Sequence, residues 1–490
     1  MREKSVEAIV EPAATVERAS AEAPAGGQAV PVGDRVAPAG DQPAPADPVA
    51  ATRRRTSRMI DAAIAAVFCL VISATGIGLM LSKAGMTFPD WIGVGQTYSY
   101  LEGRDYQVCP VPSVSGITSG EFQSELEDYL SDHAPNRDAI MLSTAWMQRL
   151  SIVPMAGILG LPAYPTFFGS SYAYLPEQDA IVSIADRRAR VANGIQDASA
   201  GLSLVIESHP QTRFFVYTPL RNNMLPCLPE RLLSGQVTPQ WLEENVYVPL
   251  EEAGARVVRP VTRDFDEYLQ DYYRGDFHYN ALGANRGYCA VMEAMGHGED
   301  ILERNQLLRE PVVSIGADER TALQFLSEPD YLTDYEYDLP RYSVYIDGEP
   351  QDPSFVRHRE LLETEDYDSD IYIARLSEYF RGGIRGSVML LVNEDMSDAS
   401  SDASSDASSS SVSSDASAAR DDGEVLIIVD DSFGKGVEYL YLSHYKYVYV
   451  LDPRGFPMTL GEAVDAYHAD DVLILTSVSV LADNTDILAN

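Results

Sequence analysis

From Val425 to Val429 the chain runs five apolar residues, VLIIV, before closing on Asp430. A strand with one face in water alternates apolar and polar residues. An unbroken run asks for cover on both faces, which α/β proteins supply by packing helices on either side of a parallel sheet. Two more runs follow, YKYVYVLD at 445–452 and DVLILT at 471–476, with helical patterns near 434–443 and 460–467 between them. Strands alternating with helices predict an α/β class with a largely parallel sheet flanked by helices. Upstream, TRFFVYTP at 212–219 reads as a strand ended by proline, RVVRPV at 256–261 as a second short one, and ALGANRGYCAVMEAMG at 281–296 as a helix closed by glycine. The stretch from Phe122 has apolar residues at helical spacing (Phe122, Leu126, Tyr129 and Leu130, then Ile140, Leu142 and Trp146), and Pro135 divides it into two helices.

The N-terminal part differs in kind. Residues 1–58 are rich in Ala, Pro, Gly and Glu and are expected to stay disordered, because they hold too little apolar surface to bury. They end in RRRTSR, and AAIAAVFCLVISATGIGLML at 62–81 then runs twenty residues without a charge. At ~1.5 Å rise per residue such a helix spans a hydrocarbon core of ~30 Å. A single-pass anchor over 59–82 is therefore expected, with the arginines placing the N-terminus in the cytoplasm and the main domain outside the cell. A cleaved signal peptide fits less well, since the apolar run is long and a long tail precedes it. A stem over 83–120 and a globular extracellular domain over 121–490 complete the expected organisation. Within that domain, 310–380 is acidic, tyrosine-rich and poor in periodicity, and reads as an insertion. The repeat SDASSDASSDASSSSVSSDASAA within 397–422 reads as a disordered loop, whose closure costs little because that cost grows only logarithmically with length.

The formal net charge is −38, and residues 1–58 contribute none of it, with eight basic and eight acidic side chains. A polyanionic body excludes nucleic acid as a partner. Of the four cysteines, Cys69 falls in the expected anchor, and no C-x-x-C pair is present. A Cys109–Cys227 disulfide and three free thiols both remain open for Cys109, Cys227 and Cys289. No ligand spacing points to a metal, and nothing points to a cofactor.

Chemistry concentrates in a few places. Ser432 follows the apolar run at the end where open α/β sheets bind ligands. A turn there exposes Oγ and turns backbone N–H groups toward a site; a helix N-cap is the plainer reading of the same residue. A serine nucleophile needs a base. His278, in YYRGDFHYNALGA, has Asp276 two residues before it, and in an extended loop the two side chains point the same way, so that the carboxylate orients the imidazole. His133, in SDHAPNRD, is the rival base.

Four segments together resemble the DHHW-motif and alginate O-acetyltransferase-like proteins. LSDHAPNRDAI is similar to their Asp-His-x-Pro-x-Arg-Asp segment, FFVYTPLRNN to their Pro-x-Lys segment, GDFHYNALGA to their Asp-x-His-Trp block, and VLIIVDDSFGKG, followed by VLDPRG, to their Asp-Ser-Phe and Asp-x-Arg blocks. The resemblance runs in order from about 121 to 476. It implies an SGNH-hydrolase-like fold with Ser432 as nucleophile, His278 as base and Asp276 as its orienting carboxylate. It implies O-acetylation of an extracellular or cell-envelope polysaccharide, with a membrane-bound O-acyltransferase as acetyl donor. An acetylesterase with the same residues, or a non-catalytic scaffold of an envelope-polymer machine, are the alternatives. Tyr279 stands where the family has tryptophan, Phe277 replaces a histidine, and Arg221 replaces the Pro-x-Lys lysine. Arg221 and Asn222 are expected to assist the oxyanion or the substrate. Asp132, Pro135, Arg137 and Asp138 are read as structural, and Asp452 and Arg454 as an ion pair.

Overall fold

In the computed structural model, all six residues of Val425–Asp430 are buried. The residues described are 62, 66, 70, 97–99, 101–102, 104–184, 188–226, 228–233, 235–260, 264–356, 384–396 and 423–488. The chain divides into two units, Met1–Ser73 and Ala74–Asn490, and everything from residue 97 onward belongs to the second. Of the expected anchor only Ala62, Ala66 and Leu70 are described, and they are helical. The expected tail, the Ser/Asp loop over 397–422 and Cys227 lie outside the described residues. Among those residues no helix is long and apolar enough to cross a membrane.

The strands of the central sheet are, in chain order, β1 Arg213–Tyr217, β2 Arg256–Val258, β3 Tyr342–Ile346, β4 Glu349–Gln351, β5 Val388–Asn393, β6 Val425–Asp430, β7 Tyr447–Leu451 and β8 Asp471–Leu475. They lie in the order β4-β3-β5-β7-β6-β8-β1-β2. From β7 to β2 all neighbours are parallel, whereas β5, β3 and β4 join antiparallel. The largely parallel sheet expected from sequence is thus present, with β6 in its middle.

The uniform apolarity of β6 has a simple cause. Successive side chains of a strand point to opposite faces. Ile427 and Val429 enter one hydrophobic core together with Val205, Leu202 and Ile195 of the helix Arg188–Ser208. Leu426 and Ile428 enter the other, with Val291, Met292 and Met295 of the helix Ala281–Met295. β8 and β1 divide in the same way: Val472, Ile474, Phe214 and Val216 on the first face, Leu473, Leu475, Phe215 and Tyr217 on the second.

Other expectations fare unevenly. The break at Pro135 separates helices Glu121–Asp132 and Arg137–Leu159, and Ala281–Met295 closes at Gly296 with φ 91. The helix near 460–467 forms as Leu460–Tyr467. The apolar spacing found the helices better than the core: Tyr129 is buried, but Leu130, Ile140 and Trp146 are exposed. The stretch 434–443 is turn up to Val437 and a 3-10 helix from Glu438 to Ser443, since two glycines in FGKG weaken an α-helix there. Within the acidic stretch 310–380, β3 and β4 belong to the central sheet, and helix Ala317–Ala322 lies between the paired strands Arg304–Ser314 and Asp330–Tyr337. Cys109 and Cys289 are free thiols.

Candidate active site

β6 delivers Ser432 to the C-terminal edge of the parallel strands. A helix cap is ruled out, because the next helical residue is Glu438 and Ser432 opens a run of turns. The turn is held from below by Asp431, which accepts the Phe433 N–H (2.9 Å), the Ser477 N–H (3.0 Å) and the Ser477 hydroxyl (2.8 Å). It is held from above by Tyr279, whose hydroxyl donates to the Phe433 carbonyl. The tyrosine that stands in place of tryptophan therefore joins the histidine segment to the serine turn.

His278 and Ser432 meet: Nε2 lies 2.6 Å from Oγ. On the other side Nδ1 lies 2.6 Å from Asp276 Oδ1. Residues 274–278 are bends rather than the expected extended loop, and the backbone N–H of His278 also donates to Asp276 Oδ1 (3.1 Å). One aspartate oxygen thus takes the backbone and the ring of the same histidine, an Asx-turn arrangement. The other, Oδ2, accepts the Ala317 N–H at 2.8 Å. Burial pushes the Asp276 carboxyl up, but the His278 imidazole and these hydrogen bonds outweigh it and hold the group at about 2. An ionised Asp276 fixes the tautomer with a proton on Nδ1, which leaves the Nε2 lone pair for the serine hydroxyl. The imidazole packs against both Phe277 and Phe433, ring centroids 4.2 and 4.8 Å away.

A small pocket opens between Ser432 and His278, with Tyr337, Asp334, Ala284 and Lys435 in its wall and room of about 20 Å³. That space suits a group about the size of one water molecule. Lys435 went unremarked in sequence; its only signal was its place three residues after the serine. The Phe433 N–H is committed to Asp431, whereas no hydrogen bond among the described residues takes the Ser432 N–H. Asn222 cannot serve an oxyanion as expected. Both hydrogens of its amide are taken, by the Ile181 carbonyl (3.0 Å) and Asp318 (2.7 Å). Arg221 lies over the Phe277 ring at 4.0 Å and donates to the Ser479 hydroxyl, one ring removed from the imidazole.

The surroundings concentrate buried carboxyls. Beneath the turn, Asp430 is fully buried, and Gly434 is needed because a Cβ there would stand 2.3 Å from Asp430 Oδ2. Burial pushes Asp430 and Glu438 upward, against the pull of Lys435. Beside Asp276, Asp330 Oδ2 accepts the N–H groups of Arg274 (2.8 Å) and Gly275 (2.9 Å), and burial pushes it up to about 6. Glu319 accepts from Leu326 and Gly316, and burial pushes it up to about 7.

The rival base is elsewhere: His133 Nδ1 pairs with the Tyr129 carbonyl at 2.9 Å. Asp132 is structural, gripped by Arg104 through two bonds of 2.7 Å. Arg454 forks onto Asp452 (2.8 and 2.6 Å), the ion pair expected.

No family model and no curated protein matches the sequence. Solved structures do. The chain is similar to a DHHW family protein from Eubacterium siraeum (15% identity, covering 60% of this chain and 88% of that one, TM-score 0.39). It is similar to PatB1 of Bacillus cereus with a sulfonyl adduct (12%, 64% and 96%, TM-score 0.42) and to the O-acetyltransferase domain of Pseudomonas putida AlgJ (11%, 64% and 90%, TM-score 0.30). The first is a DHHW family protein and the last an O-acetyltransferase domain, the two kinds of protein that the four motifs resemble.

Proposed function

We propose that the protein transfers an acetyl group through Ser432, His278 and Asp276 to a hydroxyl of an extracellular or cell-envelope polysaccharide. The observation that carries this reading is the 2.6 Å approach of Ser432 Oγ to His278 Nε2, with Asp276 equally close on the far side of the ring. In the first step Oγ attacks the acetyl carbon of the donor and its proton passes to Nε2. Asp276 balances the imidazolium. The Ser432 N–H stabilises the oxyanion, and Lys435 adds positive charge at the pocket wall. The tetrahedral species collapses, the bond to the donor oxygen breaks, and Nε2 returns the proton to the leaving group. In the second step a sugar hydroxyl gives its proton to Nε2 and attacks the acetyl-serine, the bond from the acetyl carbon to Oγ breaks, and Nε2 returns the proton to Ser432.

On this reading the domain is SGNH-hydrolase-like and anchored through 62–81, with its N-terminus cytoplasmic. A membrane-bound O-acyltransferase then serves as donor. The test uses the full chain with p-nitrophenyl acetate, with and without oligosaccharides. Sugar-dependent product and an acetyl adduct on Ser432 by mass spectrometry are expected, and Ser432→Ala loses both. Acetate released equally with and without sugar makes the protein an esterase. A Ser432→Ala variant indistinguishable from the parent leaves a scaffold and refutes the proposal.

A further inference from the structure

At the other end of β6 the structure assembles a second group of ligating side chains. His297 follows the helix Ala281–Met295, Asp300 ends the short turn Gly298–Asp300, Glu424 immediately precedes β6, and His444 follows the 3-10 helix Glu438–Ser443. No spacing in the sequence signals this group, because His297, Glu424 and His444 come from three different connections. One ligand atom each of His297, Glu424 and His444 lies within 4.8 Å of the other two.

The hydrogen bonding is odd for a group of ordinary surface residues. His444 faces a carboxylate from both nitrogens: Nδ1 is 2.6 Å from Asp300 Oδ2 and Nε2 is 3.0 Å from Glu424 Oε2. A neutral imidazole has one N–H and cannot donate to both. An imidazolium can, yet it would then lie face to face with the His297 ring, 3.4 Å between centroids. His297 also keeps a buried Nε2 with no partner among the described residues. The neighbouring guanidinium of Arg213 donates to Asp471 through two bonds of 2.6 Å.

We propose that His297, His444 and Glu424 bind a divalent transition-metal ion, zinc(II) by the donor set. The ion accepts the lone pairs of His297 Nε2, His444 Nε2 and a Glu424 oxygen, and a water completes four-coordination. Asp300 keeps the Nδ1 proton of His444, the carboxylate–histidine–metal relation that fixes ring orientation in zinc sites. Two imidazoles and a carboxylate suit zinc better than calcium or magnesium, which favour all-oxygen sets. Donor atoms around tetrahedral zinc stand ~3.4 Å apart, from bond lengths of ~2.0–2.1 Å. Two rings stacked 22° from parallel cannot both aim in-plane lone pairs at one ion, so binding turns the His297 ring out of its stack on His444 and brings Glu424, whose side chain is half exposed, inward. The six-residue length of β6 puts the ion ~20 Å from Ser432, at ~3.3 Å per residue. Its role is therefore to clasp the helix 281–295, the start of β6 and the 438–443 segment together, outside the acyl-transfer chemistry.

The test uses the untagged full chain, stripped with a chelator and dialysed against zinc, then cobalt(II). One zinc per chain, a raised thermal midpoint, and the visible bands of tetrahedral cobalt are expected. Glu424→Gln, conservative and partly exposed, and His297→Ala each abolish stoichiometric zinc, Asp300→Asn weakens it ~10–100-fold, and His278→Ala leaves it intact. Acyl transfer by Glu424→Gln stays at the parent level. The proposal is overturned if the parent retains no zinc, if zinc survives both Glu424→Gln and His297→Ala, or if His278→Ala removes it.

Discussion

Asp330→Asn isolates one half-buried carboxyl that holds the histidine segment in place. A single oxygen of Asp330 accepts both the Arg274 and the Gly275 N–H, so the amide oxygen of asparagine can do the same while the amide nitrogen takes the place of the other oxygen. What changes is titration. Burial raises the folded-state value from 3.8 to about 6. The folded protein therefore binds a proton that the unfolded chain has released. The stability due to that proton is fully present below 3.8 and is lost as pH rises through about 6. At about 1.4 kcal/mol per pH unit the span corresponds to about 3 kcal/mol. Asp330 is partly exposed, and screening by that solvent reduces the expected effect to about 2 kcal/mol. Asparagine carries no such dependence. Urea unfolding of the full chain and the variant, compared at each pH, removes the contribution of the other carboxylates. The two are expected to agree at about pH 4, and the variant to gain about 2 kcal/mol over the parent by about pH 8. A difference that does not vary with pH, or that favours the parent as pH rises, refutes the reasoning. It would mean that Asp330 is ionised in its site throughout.

Two further outcomes test the architecture around the site. In Gly316→Ala the new Cβ would stand 1.9 Å from the Gly275 carbonyl oxygen and 2.8 Å from the Asp276 nitrogen; a loss of about 1–3 kcal/mol by thermal melt and a larger fall in turnover are expected. Gly157→Ala is the control, because nothing lies within 4 Å of its Cβ position and the melt should not fall. Asp431→Ala strips the acceptor from three donors at once, so urea unfolding should show a loss of about 3 kcal/mol and steady-state kinetics a lower kcat.

Legibility followed the range of the forces involved. β6 could be read because a two-faced core leaves a mark at every position, and Ile427 and Ile428 report opposite cores from adjacent residues. The pairing of Asp276 with His278 could be read because both lie within one turn, although the segment bends, closed by the His278 N–H on Asp276 Oδ1, where an extended loop was expected. Ser432 could be placed because the edge of a parallel sheet where strands end is a property of topology. Asn222 shows where this stops. Its amide was expected near the oxyanion from its neighbours in sequence, but Ile181 and Asp318, in other segments, had already claimed both hydrogens.

The same limit explains what was missed, and it separates two kinds of site. Ser432, His278 and Asp276 sit in short texts whose residue types are unusual together, so a motif survives even when its members are 154 positions apart in space-defining order. The His297–Glu424–His444 group has no such text: each residue is individually ordinary, and only the convergence of strand ends and helix ends gives them a shared point. Convergence at the C-terminal ends of the parallel strands is where open sheets hold ligands, which makes Ser432 an expected occupant. Convergence at the opposite ends has no such expectation behind it. A pair of stacked imidazoles there, hemmed by Asp300 and Glu424, therefore has to be explained by what it can bind or by what it fastens, and a metal ion would do both.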